Sequence, residues 1–119
     1  MASSAWAEWT LISEAGNERS TWYLDIEALK SNKDFTYAWI LVDLSIPLDG
    51  DVFSTKTYNE VYCGVPRWIK IKAFIRYEAR MGEGDIKDQW TVEDQTIDYA
   101  PPDSINEELV STICALSNS

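Results

Sequence analysis

Hydrophobic and polar residues alternate along most of this chain with the two-residue period of β-strands. The longest such segments cover residues 35–44, 54–63 and 68–77, and shorter ones cover residues 6–13, 21–25 and 86–92. Short loops join consecutive segments, which favours antiparallel neighbours in one sheet. The pattern therefore predicts a six-stranded antiparallel β-sheet.

Two segments define the faces of this predicted sheet. Segment 35–44 is apolar on both faces, as expected of a central strand that is covered on both sides. In segment 68–77 the alternation puts one core set on one face: Ile69, Ile71, Ala73, Ile75 and Tyr77. It puts a mixed set on the other face: Trp68, Lys70, Lys72, Phe74 and Arg76.

A helix is predicted near the C-terminus. Pro101 and Pro102 end the preceding extended segment. Ser104 and Glu107 have the spacing of a capping box, and apolar residues then recur at helical spacing: Ile105, Leu109, Ile113 and Leu116. A helix of about three turns is too short to be stable alone in water, so it must pack on the sheet. The predicted fold is α+β, with this helix on one sheet face.

The length of 119 residues fits one domain, residues 1–119, with a core over about residues 6–116. No apolar run is long enough for a membrane span. Residues 1–5 are too short and too polar for a signal peptide. Either the chain is not exported, or a native signal was removed and Met1 is not the native start; the residues leave both open.

The net charge of −10 excludes several partner classes. Nucleic acids, heparin-like polymers and anionic membranes all require patches of Lys and Arg. Basic partners are compatible with this charge, but solubility alone is the simpler explanation.

The residue types also limit the chemistry. The chain has no histidine, the commonest general base and metal ligand, and no phosphate-binding glycine pattern. We expect no catalytic residues, no metal site and no cofactor. A carboxylate-using enzyme is a remote alternative, through Asp49 with Asp51 or Glu93 with Asp94. Calcium at residues 48–51 is a weaker interpretation than a plain turn.

The sheet face away from the helix is the candidate binding site. It would present aromatic side chains edged by basic ones: Tyr37, Trp39, Tyr58, Tyr62, Trp68, Lys70, Lys72, Phe74 and Arg76. Tyr, Trp and Arg dominate protein–protein contacts, so this face predicts a surface for a protein partner or a homodimer. The alternative is that loops or the first strand cover it.

The two cysteines, Cys63 and Cys114, are an even count in a small domain. That count is consistent with one disulfide and an oxidising compartment. Two buried free thiols are the alternative.

Several motifs together resemble the surface-adhesin protein E family of bacterial envelope proteins. In chain order they are Trp9 with Leu11, Tyr23-Leu24-Asp25, Tyr62-Cys63, Arg67, Met81-Gly82-Glu83-Gly84, Trp90, Pro101-Pro102-Asp103-Ser104, Leu109 and Cys114. The resemblance covers nearly the whole chain.

This resemblance implies a six-stranded antiparallel sheet whose C-terminal helix is tethered by a Cys63–Cys114 disulfide. It also implies export to the periplasm or cell surface, with the native signal or anchor absent from this chain. The implied function is adhesion to host extracellular-matrix or serum proteins. The resemblance also implies that dimers can form and that there are no catalytic residues. A structural, self-associating envelope protein with no soluble ligand is the alternative.

Overall fold

The sheet and helix are described by a computed structural model that covers residues 9–15, 19–93 and 96–117. The elements are β1 (Trp9–Ala15), β2 (Ser20–Asp25), β3 (Lys30–Ser31), β4 (Thr36–Leu48), β5 (Val52–Tyr62), β6 (Trp68–Tyr77), β7 (Ile86–Thr91) and α1 (Ile105–Ser117). The predicted strand start at residues 6–8 and the candidate carboxylate Asp94 lie outside the described residues.

The strands form one antiparallel sheet in the order β1-β2-β4-β5-β6-β7, and the short β3 pairs with the start of β4. This confirms the predicted α+β fold and its C-terminal helix. The two-residue β3 has too few residues for an alternation to appear in the sequence. No helix among the described residues is long and apolar enough to cross a membrane.

Strand β4 is longer than its alternation predicts. It continues through Pro47 to Leu48, where Leu48 pairs with Val52. The register shifts between Asp43 and Leu48. Proline is tolerated at such an irregular stretch, because it lacks the N–H that a regular ladder would use.

Helix α1 packs on one face of the sheet, which we call the helix face. The core there joins residues of four strands to the apolar side of α1: Leu24, Ala38, Ile40, Val61, Ile69, Leu109, Val110, Ile113 and Cys114. The Glu107 N–H donates to Ser104 Oγ at 3.1 Å, as the capping motif predicts. Glu107 Oε1 in turn accepts from the Asp103 N–H at 2.9 Å, one residue before the expected partner.

A disulfide joins α1 to the sheet. Cys63, directly after β5, is bonded to the fully buried Cys114 of α1, with their Cα atoms 5.6 Å apart. This confirms the pairing that the family resemblance implied. It anchors the helix at the end of a central strand.

A β-bulge in β6 reverses the expected faces of half that strand. Ile71 pairs with Asn59 and Ala73 pairs with Tyr58, so Lys72 is the extra residue. Residues directly opposite one another share a face.

The pairing of Phe74 with Thr57 and of Arg76 with Thr55 therefore puts Phe74 and Arg76 on the helix face. Ala73, Ile75 and Tyr77 lie on the opposite face. The predicted faces of these five residues were wrong, because strict alternation assumes that no residue is inserted.

We expect Cys63→Ala with Cys114→Ala to lower the free energy of unfolding by about 4 kcal/mol, the chain-entropy value for a closed loop of this length. The two cysteines are separated by 51 residues, so the bond strongly restricts the unfolded chain. Urea unfolding of both forms measures the difference. Val65→Ala, at a side chain that is 94% exposed, is the neutral control. Equal stability of the double variant and the native chain would contradict this role.

Candidate functional site

The sheet face opposite the helix, which we call the outer face, is half covered by the loop of residues 78–85. Arg80 Nε donates to the carboxylate of the buried Asp43 at 2.8 Å, and the Met81 N–H donates to it at 2.7 Å. Ser54 Oγ donates to the Ala79 carbonyl at 2.6 Å and accepts from the Gly82 N–H at 2.8 Å. These bonds hold the loop over β4 and β5.

The glycines of this loop allow its close approach to the sheet. Gly82 and Gly84 have φ of 70° and 76°, which side-chain-bearing residues rarely adopt. A Cβ on Gly82 would lie 2.6 Å from Cε of Lys56. Leu41 and Val52, on the outer face, are fully buried. This half of the face therefore belongs to the protein interior.

The other half of the outer face is a partly exposed aromatic surface. We define the aromatic surface by six side chains, which come from the residue before β4, from the start of β4, from β5 and from β6: Phe35, Tyr37, Trp39, Tyr58, Tyr62 and Trp68. Cross-strand pairing brings them together, since Trp39 is opposite Tyr58 and Tyr62 is opposite Trp68.

The rings of the aromatic surface contact one another in sequence across the strands. The ring centroids of Trp39 and Tyr58 are 5.0 Å apart, and those of Tyr58 and Tyr37 are 5.8 Å apart and stacked. At the other end, Trp68 lies 5.5 Å from Phe35 and 5.7 Å from Tyr62. These distances are typical of favourable aromatic pairs, so the surface is ordered by its own packing.

A buried carboxylate lies among these rings. Glu60 is 7% exposed and accepts a hydrogen bond from the Tyr37 hydroxyl at 2.7 Å. Lys70 Nζ forms an ion pair with Glu60 at 3.2 Å and lies 5.2 Å from the ring centroid of Trp68. The hydrogen bond to Glu60, then burial and the negative charge, raise the pKa of the Tyr37 hydroxyl. Glu60 and Lys70 neutralise each other within the aromatic surface.

The structure brings together six of the nine candidate site residues: Tyr37, Trp39, Tyr58, Tyr62, Trp68 and Lys70. Lys72 is the bulge residue of β6, and Phe74 and Arg76 lie on the helix face. Phe35 belongs to the surface although it was not among the candidates. Its alternation with Tyr37 and Trp39 in segment 35–44 could have identified it. Glu60 was missed because nothing in an alternating strand marks a buried carboxylate.

Phe74 and Arg76 instead hold the edge strand β7. The ring of Phe74 is stacked on that of Trp90 at 5.1 Å. Arg76 donates to Asp88 from Nε at 2.7 Å and to Asp49 from a terminal nitrogen at 2.7 Å. The hydrogen bond from Arg76 lowers the pKa of Asp88, so this contribution to stability is present above the ordinary pKa of 3.8 and is lost as the pH falls through the lower folded-state value.

The carboxylates considered for catalysis either bind basic side chains or are exposed to solvent. Asp49 binds Arg76, and Asp51 accepts from Lys87 Nζ at 2.7 Å. Glu93 is exposed. Within residues 9–15, 19–93 and 96–117, no group of three or more His, Cys, Asp or Glu side chains is placed to hold a metal ion. The contacts of Asp49 and Asp51 are those of a structural turn.

Comparisons with known proteins point to one family. The family model described as surface-adhesin protein E matches residues 9–115. A crystal structure of Haemophilus influenzae protein E, in crystal form II, superposes with a TM-score of 0.67 at 17% identity, covering 92% of this chain and 90% of that chain.

Two further structures of that protein have the same fold. One superposes with a TM-score of 0.61 and covers 83% of that chain; the other, from a non-typeable strain, superposes with a TM-score of 0.55 and covers 75%. Both are 16% identical and cover 88% of this chain. None of the curated proteins matches this chain.

We expect Glu60→Gln to lower the pKa of Tyr37 towards its ordinary value of 10.0, because the acceptor charge that favours the protonated hydroxyl is removed. In the native chain the raised pKa stabilises the fold fully below pH 10, and this contribution is lost as the pH rises through the folded-state value. An NMR titration of the Tyr37 ring carbons measures the shift. Tyr37→Phe identifies the signal, and an unchanged pKa in Glu60→Gln would contradict the assignment.

Proposed function

We propose a function for this chain on the basis of the family to which it belongs, the surface-adhesin protein E family. Surface adhesins are exported proteins that act by binding other proteins. We propose that this chain is a non-enzymatic binding module of the periplasm or cell surface, and that it recognises host extracellular-matrix or serum proteins. The observation that carries the proposal is the partly exposed aromatic surface on the outer face.

The composition of the aromatic surface supports a protein partner. Tyr and Trp supply large contact areas at low cost in conformational entropy, and they dominate the energetics of protein interfaces. Charged residues are depleted at the centre of such interfaces. Here the central carboxylate, Glu60, is already neutralised by Lys70 and Tyr37. A partner can therefore cover the rings without leaving Glu60 unpaired.

The disulfide supports the exported location. Structural disulfides persist in oxidising compartments and are rare in the cytosol of most organisms. The Cys63–Cys114 bond thus fits the periplasm or the cell surface better than the cytoplasm.

Self-association through the same surface is the second candidate function. Two copies that each carry a net charge of −10 repel one another over long range. An aromatic surface with a neutralised centre offers a contact in which this repulsion is offset by apolar burial. A homodimer, or a structural envelope role without a soluble ligand, would use that contact. No observation on the described residues favours the enzyme alternative.

We expect Trp39→Ala with Trp68→Ala to weaken partner binding by at least tenfold, because each substitution truncates an anchor of the kind that contributes about 2 kcal/mol or more to an interface. The measurement is binding of the oxidised protein to an immobilised panel of matrix and serum proteins. Trp90→Ala is the matched control, because Trp90 is 45% exposed and pairs with Phe74, which lies on the helix face. Undiminished binding by the double variant would place the adhesive site elsewhere.

Light scattering across a range of salt concentrations separates the two candidate functions. If the chain self-associates, screening of the −10 charge should strengthen association as salt increases, and the Trp39 and Trp68 substitutions should abolish it. If the chain remains monomeric at every salt concentration while binding a member of the panel, recognition of a separate protein is supported. Monomeric protein without binding to any panel member would contradict both candidates.

A further inference from the structure

The helix face carries a groove that is separate from the aromatic surface. Helix α1 covers one end of this face, and beyond it the groove encloses about 700 Å³. Ligand sites typically occupy about 300 to 1,000 Å³. The floor and walls come mainly from apolar side chains of the sheet: Trp22, Ile40, Val42, Leu44, Leu48, Ile71 and Phe74.

The lining of the groove includes residues of β4 from Ile40 to Leu48, which are about 26 Å of extended strand. Its inner end reaches the core, where Ile40 and Leu109 are 2% and 1% exposed. Its outer end is open, since Leu48 is 50% exposed. One end therefore lies against the core, and the other end opens to water.

Two hydroxyl groups of β5 lie on the groove floor. Thr55 is 5% exposed and lines the groove, and its hydroxyl takes part in none of the side-chain hydrogen bonds among the described residues. Thr57, two residues on and on the same face, accepts from Asn59 Nδ2 at 2.8 Å and keeps its own proton to donate. A hydroxyl that lines a groove and has no protein partner is free to bond a ligand or water there.

The charged side chains around the groove already have hydrogen-bond or ion-pair partners, and Lys70, which lines it, is paired with Glu60. Asp98 accepts from the Ala100 N–H at 2.9 Å and from the Asn106 side chain. Arg76 is held between Asp88 and Asp49. An anionic ligand group would lose its water in this groove without gaining a free positive charge, which is unfavourable.

We propose that the groove binds an uncharged small molecule with a long alkyl chain and one hydrogen-bonding oxygen, in the class of long-chain alcohols and neutral acyl esters. The alkyl chain lies along β4 against Val42 and Leu44 and extends toward Leu48 at the open end. The oxygen bonds the Thr55 and Thr57 hydroxyls. This site is on the other side of the sheet from the aromatic surface, so the inference is independent of the adhesive function.

The test uses the oxidised chain, monopalmitoylglycerol as the uncharged probe and palmitate as the charged probe. Both are applied below their micelle-forming concentrations, and each displaces the neutral fluorophore N-phenyl-1-naphthylamine. We expect saturable displacement by monopalmitoylglycerol and at least tenfold weaker displacement by palmitate. Failure of the fluorophore to bind, or equal displacement by the two probes, would overturn the proposal.

Two variants locate the site. Thr55→Val keeps the side-chain shape and breaks none of the hydrogen bonds among the described residues, so the fold should be retained. We expect it to weaken the binding of monopalmitoylglycerol about three- to tenfold, which is the effect of one lost hydrogen bond. The binding of the fluorophore should be unchanged. Val42→Phe should fill the groove and weaken the binding of both molecules at least tenfold. Ile75→Phe, on the outer face, should change the binding of neither.

The remaining outcomes are also decisive. Unchanged affinity for monopalmitoylglycerol in Thr55→Val would overturn the assigned oxygen contact, and this variant tests the proposal even if Val42→Phe does not fold. Fluorophore binding that disappears as protein concentration rises would show that a second copy of the chain occupies the groove, which would also overturn it. Loss of adhesion in the Trp39 and Trp68 variant has no bearing on these readouts.

Discussion

A single sheet has two faces to cover, and the one α-helix among the described residues is too short to cover either of them. Helix α1 has 13 residues, about 20 Å of helix, whereas β4 alone has 13 residues and extends about 43 Å. The chain covers the rest in pieces. The helix covers one end of the helix face, and the loop of residues 78–85 covers half of the outer face. Two regions stay accessible. The aromatic surface and the groove are these two regions.

The disulfide decides where the helix lies, and so where the groove begins. Cys63 follows the last residue of β5, next to the ends of β4 and β6 that carry Thr36 and Trp68. Bonding Cys114 there holds α1 over Ala38, Ile40 and Val61 and away from Val42 and Thr55. Beyond the helix, residues that include Val92, Thr96 and Asp98 line the groove without closing it. The same bond that completes the core therefore leaves the groove open.

The sequence predicts what depends on local periodicity, and it fails where one inserted residue changes the register. Strands and helix follow from alternation, from the S-x-x-E spacing and from the prolines. The bulge at Lys72 could not be predicted, because Phe74 and Ile75 are both apolar and either of them fits the core. Five of the six aromatic residues were nevertheless found, since they lie before the bulge, where the alternation holds. Net charge likewise describes the whole chain and says nothing of Glu60, whose charge is neutralised by Lys70 and a tyrosine.

An adhesin must remain folded while it carries a load, and the covalent loop between residues 63 and 114 sets how far this chain can be stretched. The loop contains β6, β7 and most of α1. A force applied to the two ends of the backbone is carried by the disulfide and not by the residues between the two cysteines. Their sequence separation of 51 residues corresponds to about 170 Å of extended chain. That length cannot be drawn out while the bond is intact. The bond thus limits the mechanical extension of the molecule and keeps tension off β6, whose Trp68 and Lys70 belong to the proposed binding region.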